Sequence, residues 1–144
     1  MQIILASWQF WAGLAAVFAA LTAIFAKIGV GGIDSDLATW LRTLVVALVL
    51  GAIVWATGKL RGIAAIEPRA GLFLVLSGLA TGASWLCYFR ALSLGDAARV
   101  APIDKLSVVL VAIFAVIFLG EHLPPLAWLG VALIGAGAVL VALA

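Results

Sequence analysis

Charge is the scarcest thing in this chain. Of its 144 residues, 10% are Asp, Glu, Lys or Arg, where ordinary globular domains carry about 25%. That shortage leaves too little polar surface for a soluble fold and too little chain for an extramembrane domain, so an enzyme built on a soluble catalytic domain is not expected. The net charge of +2 is scattered, with no basic stripe, which speaks against nucleic acid as a partner. Cys87 is the sole cysteine; it has no mate for an internal disulfide, and its place in an apolar stretch reads as a small buried residue. His122 is the sole histidine and there is no Cys/His cluster, so no metal site is expected. A nucleophile–base pair, a phosphate-binding loop and the zinc-helix motif are all missing, so neither catalytic residues nor a cofactor are expected. Met1-Gln2-Ile3-Ile4 lacks the basic start of a secretory signal, and the first apolar run therefore reads as a retained helix.

What the chain has instead is long apolar runs, at 8–26, 37–56, 71–89, 100–119 and 126–143. Each is close to the ~20 residues that cross a hydrocarbon core. The fold expected is an all-α polytopic membrane protein of five transmembrane helices in a single domain, with the lipid bilayer as its surroundings. Punctuation agrees. Gly29, Gly31 and Gly32 end the first helix, and Asp34-Ser35-Asp36 offers a cap for the second. Gly58 ends the second, and Glu67-Pro68 opens the third. Gly95-Asp96 is a turn, Pro102 falls in the first turn of the fourth helix, and 120–125 joins it to the fifth. Short loops make sequential helices antiparallel neighbours. Trp8, Trp11, Trp40, Trp55 and Trp128 fall near helix ends, at interface depth, whereas Trp85 lies deeper.

An odd number of spans puts the termini on opposite sides. Lys59, Arg61 and Arg69 make the second loop the densest in basic residues, which favours a cytoplasmic N-terminus. Arg90 and Arg99 flank the third loop on the other side, with Lys27 and Arg42 at helix edges. Counting these nearly cancels the bias, so dual topology stays open.

Ionisable groups inside hydrocarbon are costly and are functional candidates for that reason. Lys27 ends the first helix, Arg42 is about one turn into the second, Arg90 ends the third, and Asp104-Lys105 lies just inside the fourth. Four helices thus bring charge to one membrane depth. Lys and Arg near helix ends can also snorkel to the headgroups. Asp104 is too short for that and needs Arg42, Arg90 or Lys105 as a partner. Adjacent helical residues point about 100° apart, so Asp104 and Lys105 do not both face one cavity squarely. Glycine is the second signal. Gly78 and Gly82 form a GxxxG pair in the third helix, and Gly130, Gly135 and Gly137 give the last helix a small-residue face for close association.

The stretch Trp85-Leu86-Cys87-Tyr88-Phe89-Arg90-Ala91-Leu92, then Ala101-Pro102, Phe118-Leu119-Gly120-Glu121 and Leu129 to Gly137 resembles the EamA domain of the drug/metabolite transporter superfamily. The match is strong over 85–137 and looser back to Ala23–Lys27. Most such proteins carry two five-helix units of inverted topology in one chain, a ten-helix fold of which this chain would be half. The resemblance implies a secondary transporter of small metabolites in the cell (inner) membrane, working as a homodimer by alternating access, with parallel and antiparallel pairing both open. Lys27, Arg42, Tyr88, Arg90, Asp104 and Lys105 are the candidates for binding or coupling, and the three cations hint at an anionic small-molecule substrate. Gly130, Gly135 and Gly137 resemble the dimer-contact helix of small multidrug resistance proteins. Their membrane-embedded glutamate has no counterpart in the first helix here, which leaves Asp104 as the carboxylate able to substitute. The competing expectations are a non-transporting subunit or lipid-handling partner of an enzyme, and one half of a hetero-oligomer.

Overall fold

The boundaries of the helices follow from their caps. In the computed structural model, which describes residues 7–144, 86% of the described residues are helical and none is in a strand. The order is α1 (Trp8–Gly29), α2 (Ser35–Ala56), a 3-10 helix (Lys59–Ala65), α3 (Pro68–Leu94), α4 (Ala97–Asp104), α5 (Ser107–Leu119) and α6 (Pro125–Leu143). Asp34 caps α2: its Oδ1 accepts from the amides of Asp36 at 2.9 Å and Leu37 at 3.1 Å, two donors that helix geometry leaves orphaned. Gly58 (φ +68°) and Gly120 (φ +69°) end α2 and α5 in the left-handed region, where a side chain would be strained. Pro68 opens α3 at a position whose amide has no helical partner anyway.

Five helical stretches are long and apolar enough to cross a membrane: α1, α2, α3, Ala97–Leu119 taken as one, and α6. They are the five expected spans, with longer ends. α3 runs 27 residues, about 40 Å, which exceeds a hydrocarbon core of about 30 Å and requires tilt or protrusion. Their large apolar side chains face outward, as Leu48 (72% exposed), Leu79 (67%) and Phe118 (75%) do. In water that surface would be prohibitive; against lipid it is matched.

The fourth span departs from expectation. α4 begins at Ala97 because the carbonyl of Asp96 accepts from Arg99 at 3.0 Å and Val100 at 2.9 Å. Pro102 therefore lies inside the helix, not in its first turn, and Ala98 loses the donor that would normally bond its carbonyl. The chain then tightens. The amide of Lys105 is shared between the carbonyls of Ala101 and Pro102, and Leu106 reaches back to Ile103, Val108 to Lys105 and Val109 to Leu106 before α5 resumes. Bonds to the third residue back mark a 3-10 turn.

The chain divides into two compact units. In residues 26–93, Ala26 and Val30 at the end of α1, Ser35 and Thr39 on α2, and Phe89 and Leu92 on α3 are buried. Small residues permit close helix approach in a membrane. The hydroxyl of Thr39 donates to the carbonyl of Ser35 at 2.8 Å, and that of Thr43 to Thr39 at 2.7 Å, so the polar groups of this core are satisfied within α2.

The other unit joins the stretch up to Phe25 with residues 94–144. Here α6 packs along both α4 and α5. Its inward stripe is Ala127, Val131, Gly135, Ala138 and Ala142, the three-and-four spacing of one helix face. Arg99 Nη2 donates to the carbonyl of Ala142 at 3.1 Å, meeting an orphan carbonyl at the C-terminal end of α6.

Candidate functional site

The cations expected to act together divide by role. Lys27 Nζ donates to the carbonyl of Leu92 at 2.8 Å. That carbonyl belongs to the last turn of α3, which a cation satisfies and whose dipole it favours. Lys27 thus ties the end of α1 to the end of α3. Arg90 is exposed, and it lies a turn inside the C-terminus of α3 rather than at its end. A long side chain there can reach the headgroups.

Arg42 behaves differently. α2 starts at Ser35, so Arg42 lies about two turns, about 10 Å, along the helix and about one turn into its apolar run, as expected. Its guanidinium carbon sits 4.0 Å from the centroid of the Trp85 ring and 5.5 Å from that of Phe89. Trp85 is more than two turns from the end of α3, so the guanidinium turns across the unit instead of outward to the headgroups. The ring faces attract a cation. Tyr88, half-buried, lies near enough to interact electrostatically with Arg42.

Arg42 also has no acidic partner in this unit. Asp34 is taken up by its cap and Asp36 accepts from the Ser35 hydroxyl at 3.4 Å, while Glu67 belongs to the opposite end of α3. Among the described residues the ion pair is Lys105 with Asp104, at 3.0 Å. These two adjacent residues meet although a regular helix would splay them, because α4 stops at Asp104 and the tightened turn begins there. Asp104 thus has the last of its three expected partners.

The glycines also separate. A Cβ at Gly135 would come within 3.2 Å of Val109 Cγ2, so this residue serves packing inside the chain. A Cβ at Gly130 or Gly137 would meet nothing within 4 Å. Gly135 lies about 140° round the helix from Gly130, so the three do not share a face as expected. Cys87, expected to be buried, is exposed; it lies on the side of α3 away from Trp85, Phe89 and Leu92. Trp85 and Phe89 themselves were not singled out as site residues by pattern. The available signal was Trp85, the one tryptophan away from the helix ends.

A model of the EamA-like transporter family matches residues 6–143. The chain belongs to this family. It is also 66% identical over 136 residues to an uncharacterized transporter in the cobO 3′ region of Sinorhizobium sp., covering 94% of this chain and 96% of that protein. No solved structure matches. As an EamA-like protein with five apolar spans it is a multi-pass membrane protein, and family and relative point to a transporter rather than an enzyme. In this EamA-like chain the Arg42–Trp85–Phe89 arrangement supplies a permanent positive charge within the span, held by aromatic faces, with its N–H edges available.

Proposed function

We propose that this chain is a secondary transporter of small metabolites that works as an antiparallel homodimer, two five-helix units supplying between them what two-unit relatives carry in one chain, and that it alternates access to a site containing Arg42. The observation that carries the reading is Arg42 itself. A guanidinium about two turns inside a span is expensive, and packing alone would favour an apolar residue there. Its neighbours hold it in place by ring faces without neutralising it, as a binding site requires and a structural helix contact does not. Family membership and the relative named as a transporter support the same reading.

Purified protein reconstituted into vesicles should give saturable flux of at least one member of a panel of amino acids, organic acids and sugars, and Arg42→Gln should abolish it while the protein stays folded by circular dichroism. Flux unchanged in Arg42→Gln would remove Arg42 from the site. A folded, dimeric protein that moves nothing in the panel would favour the non-transporting subunit.

A further inference from the structure

We propose that the Arg42 site selects a small metabolite bearing a single carboxylate, gripped edge-on by the guanidinium; this rests on the reading of Arg42 as part of a transport site. Trp85 and Phe89 meet the guanidinium at its carbon, 4.0 Å and 5.5 Å from their ring centroids. A cation over a ring face uses the flat side of the guanidinium and leaves its in-plane N–H donors pointing elsewhere. None of those donors makes a hydrogen bond to a carbonyl or a carboxylate of the unit, in contrast to Lys27, which is bonded to Leu92. A fork of parallel N–H donors matches one partner geometry closely, the two oxygens of a carboxylate.

Charge decides between carboxylate and phosphate. A phosphate monoester near neutral pH carries close to two negative charges and calls for more than one cation. Within residues 26–93 the other cations near this end of the helices are engaged or displaced: Lys27 bonds the Leu92 carbonyl and Arg90 is exposed. One fixed positive charge neutralises one carboxylate and leaves no residual charge to carry across hydrocarbon. The side chains that meet the guanidinium are the ring faces of Trp85 and Phe89. They suit a ligand whose remaining body is apolar or planar, and the acidic residues of the unit are placed elsewhere, Asp34 in its cap, Asp36 against Ser35 and Glu67 at the opposite end of α3, so none stands beside Arg42 to hold an ammonium group.

The test uses full-length protein and two readouts. Binding is followed by tryptophan fluorescence and thermal midpoint in detergent, with propionate, lactate, benzoate and phenylacetate, each beside its neutral amide, and with inorganic phosphate. Flux is followed in vesicles with the same radiolabelled acids. The expected result is saturable binding of one or more acids with at least tenfold preference over the matching amide. That preference should be lost in Arg42→Gln and retained in weakened form in Arg42→Lys. Amides binding as well as acids, or phosphate binding as well as the acids, would overturn the proposal and leave transport standing. Acids that bind through Arg42 but are not moved would uphold the carboxylate site and overturn the transport reading. Loss of binding in Arg42→Gln accompanied by equal loss in Arg42→Lys and collapse of the thermal midpoint in both would assign Arg42 a purely structural role and overturn the proposal.

Discussion

At the scale of single residues, the cations of this protein divide by what lies within reach of them. Lys27 has a helix-end carbonyl, Lys105 has a carboxylate, and Arg42 has only ring faces. Lys27→Met should therefore cost stability, about 1–2 kcal/mol for a hydrogen bond to a charged donor, and leave substrate preference alone. A thermal midpoint combined with a flux competition assay checks both halves. Asp104 was expected to need Arg42, Arg90 or Lys105 as a partner, because a carboxylate on so short a side chain cannot reach the headgroups. Its partner turns out to be its neighbour Lys105, and both side chains are partly open to the surroundings, 32% and 54%. The pair lies within the fourth span, where exposure on the protomer is not exposure to bulk water. Asp104→Asn leaves Lys105 without its partner and should lower the thermal midpoint. If flux then persists, the carboxylate is a local partner for Lys105; if flux vanishes in a protein of unchanged midpoint, Asp104 couples transport to a cation. The sequence displayed which residues were charged and roughly how deep they lay, but not their partners. Those depend on where side chains turn, and the contact between Arg42 and Trp85 joins positions far apart in the chain that no local spacing connects.

At the scale of elements, what was legible is what local chemistry controls. Asp34, Gly58, Pro68 and Gly120 act at helix ends through their own backbone and side-chain geometry, so each is visible in a few residues of sequence. The interruption of the fourth span was not visible in that way. Pro102 was placed in a first turn because the apolar run begins at Val100, whereas the helix starts three residues earlier, on the Asp96 carbonyl. Hydropathy marks where lipid contact begins and not where hydrogen bonding does. The same limit hid the division among the glycines of α6, which share a composition but not a face. Gly135→Leu should overpack the contact with Val109 and destabilise the protein by about 1–3 kcal/mol. Gly130→Ala and Gly137→Ala add a Cβ where nothing lies within 4 Å, so the folded protomer should keep its thermal midpoint. A double variant at Gly130 and Gly137 that remains folded but shifts to monomer by native mass spectrometry would place that face at the contact between copies. Unchanged mass would place the contact elsewhere.

At the scale of the whole molecule, the proposed antiparallel dimer makes a demand on topology. Two-unit transporters relate their halves by inversion, with substrate bound between them near the midplane. A single chain can reproduce that only if it inserts both ways. Topology follows the count of Lys and Arg in short loops and near span ends. The basic residues divide between Lys59, Arg61 and Arg69 in the second loop on the N-terminal side and Lys27, Arg42, Arg90, Arg99 and Lys105 at span edges or inside spans on the other. Neither side holds the clear loop excess that fixes one orientation. In a Cys87→Ser background, single cysteines placed in the 59–65 segment should therefore react with a membrane-impermeant reagent from both sides of the membrane; reaction from one side alone would exclude the antiparallel pair. A stronger consequence follows for activity. Extra lysines introduced at Gly62 and Ala64 should bias every chain to one orientation, and extra lysines in the 95–96 turn should bias it to the other. If the working unit is an antiparallel dimer, each variant alone should fold and lose flux, while the two produced together should recover it. Full flux from either variant by itself would show that chains of one orientation suffice and would exclude the antiparallel dimer.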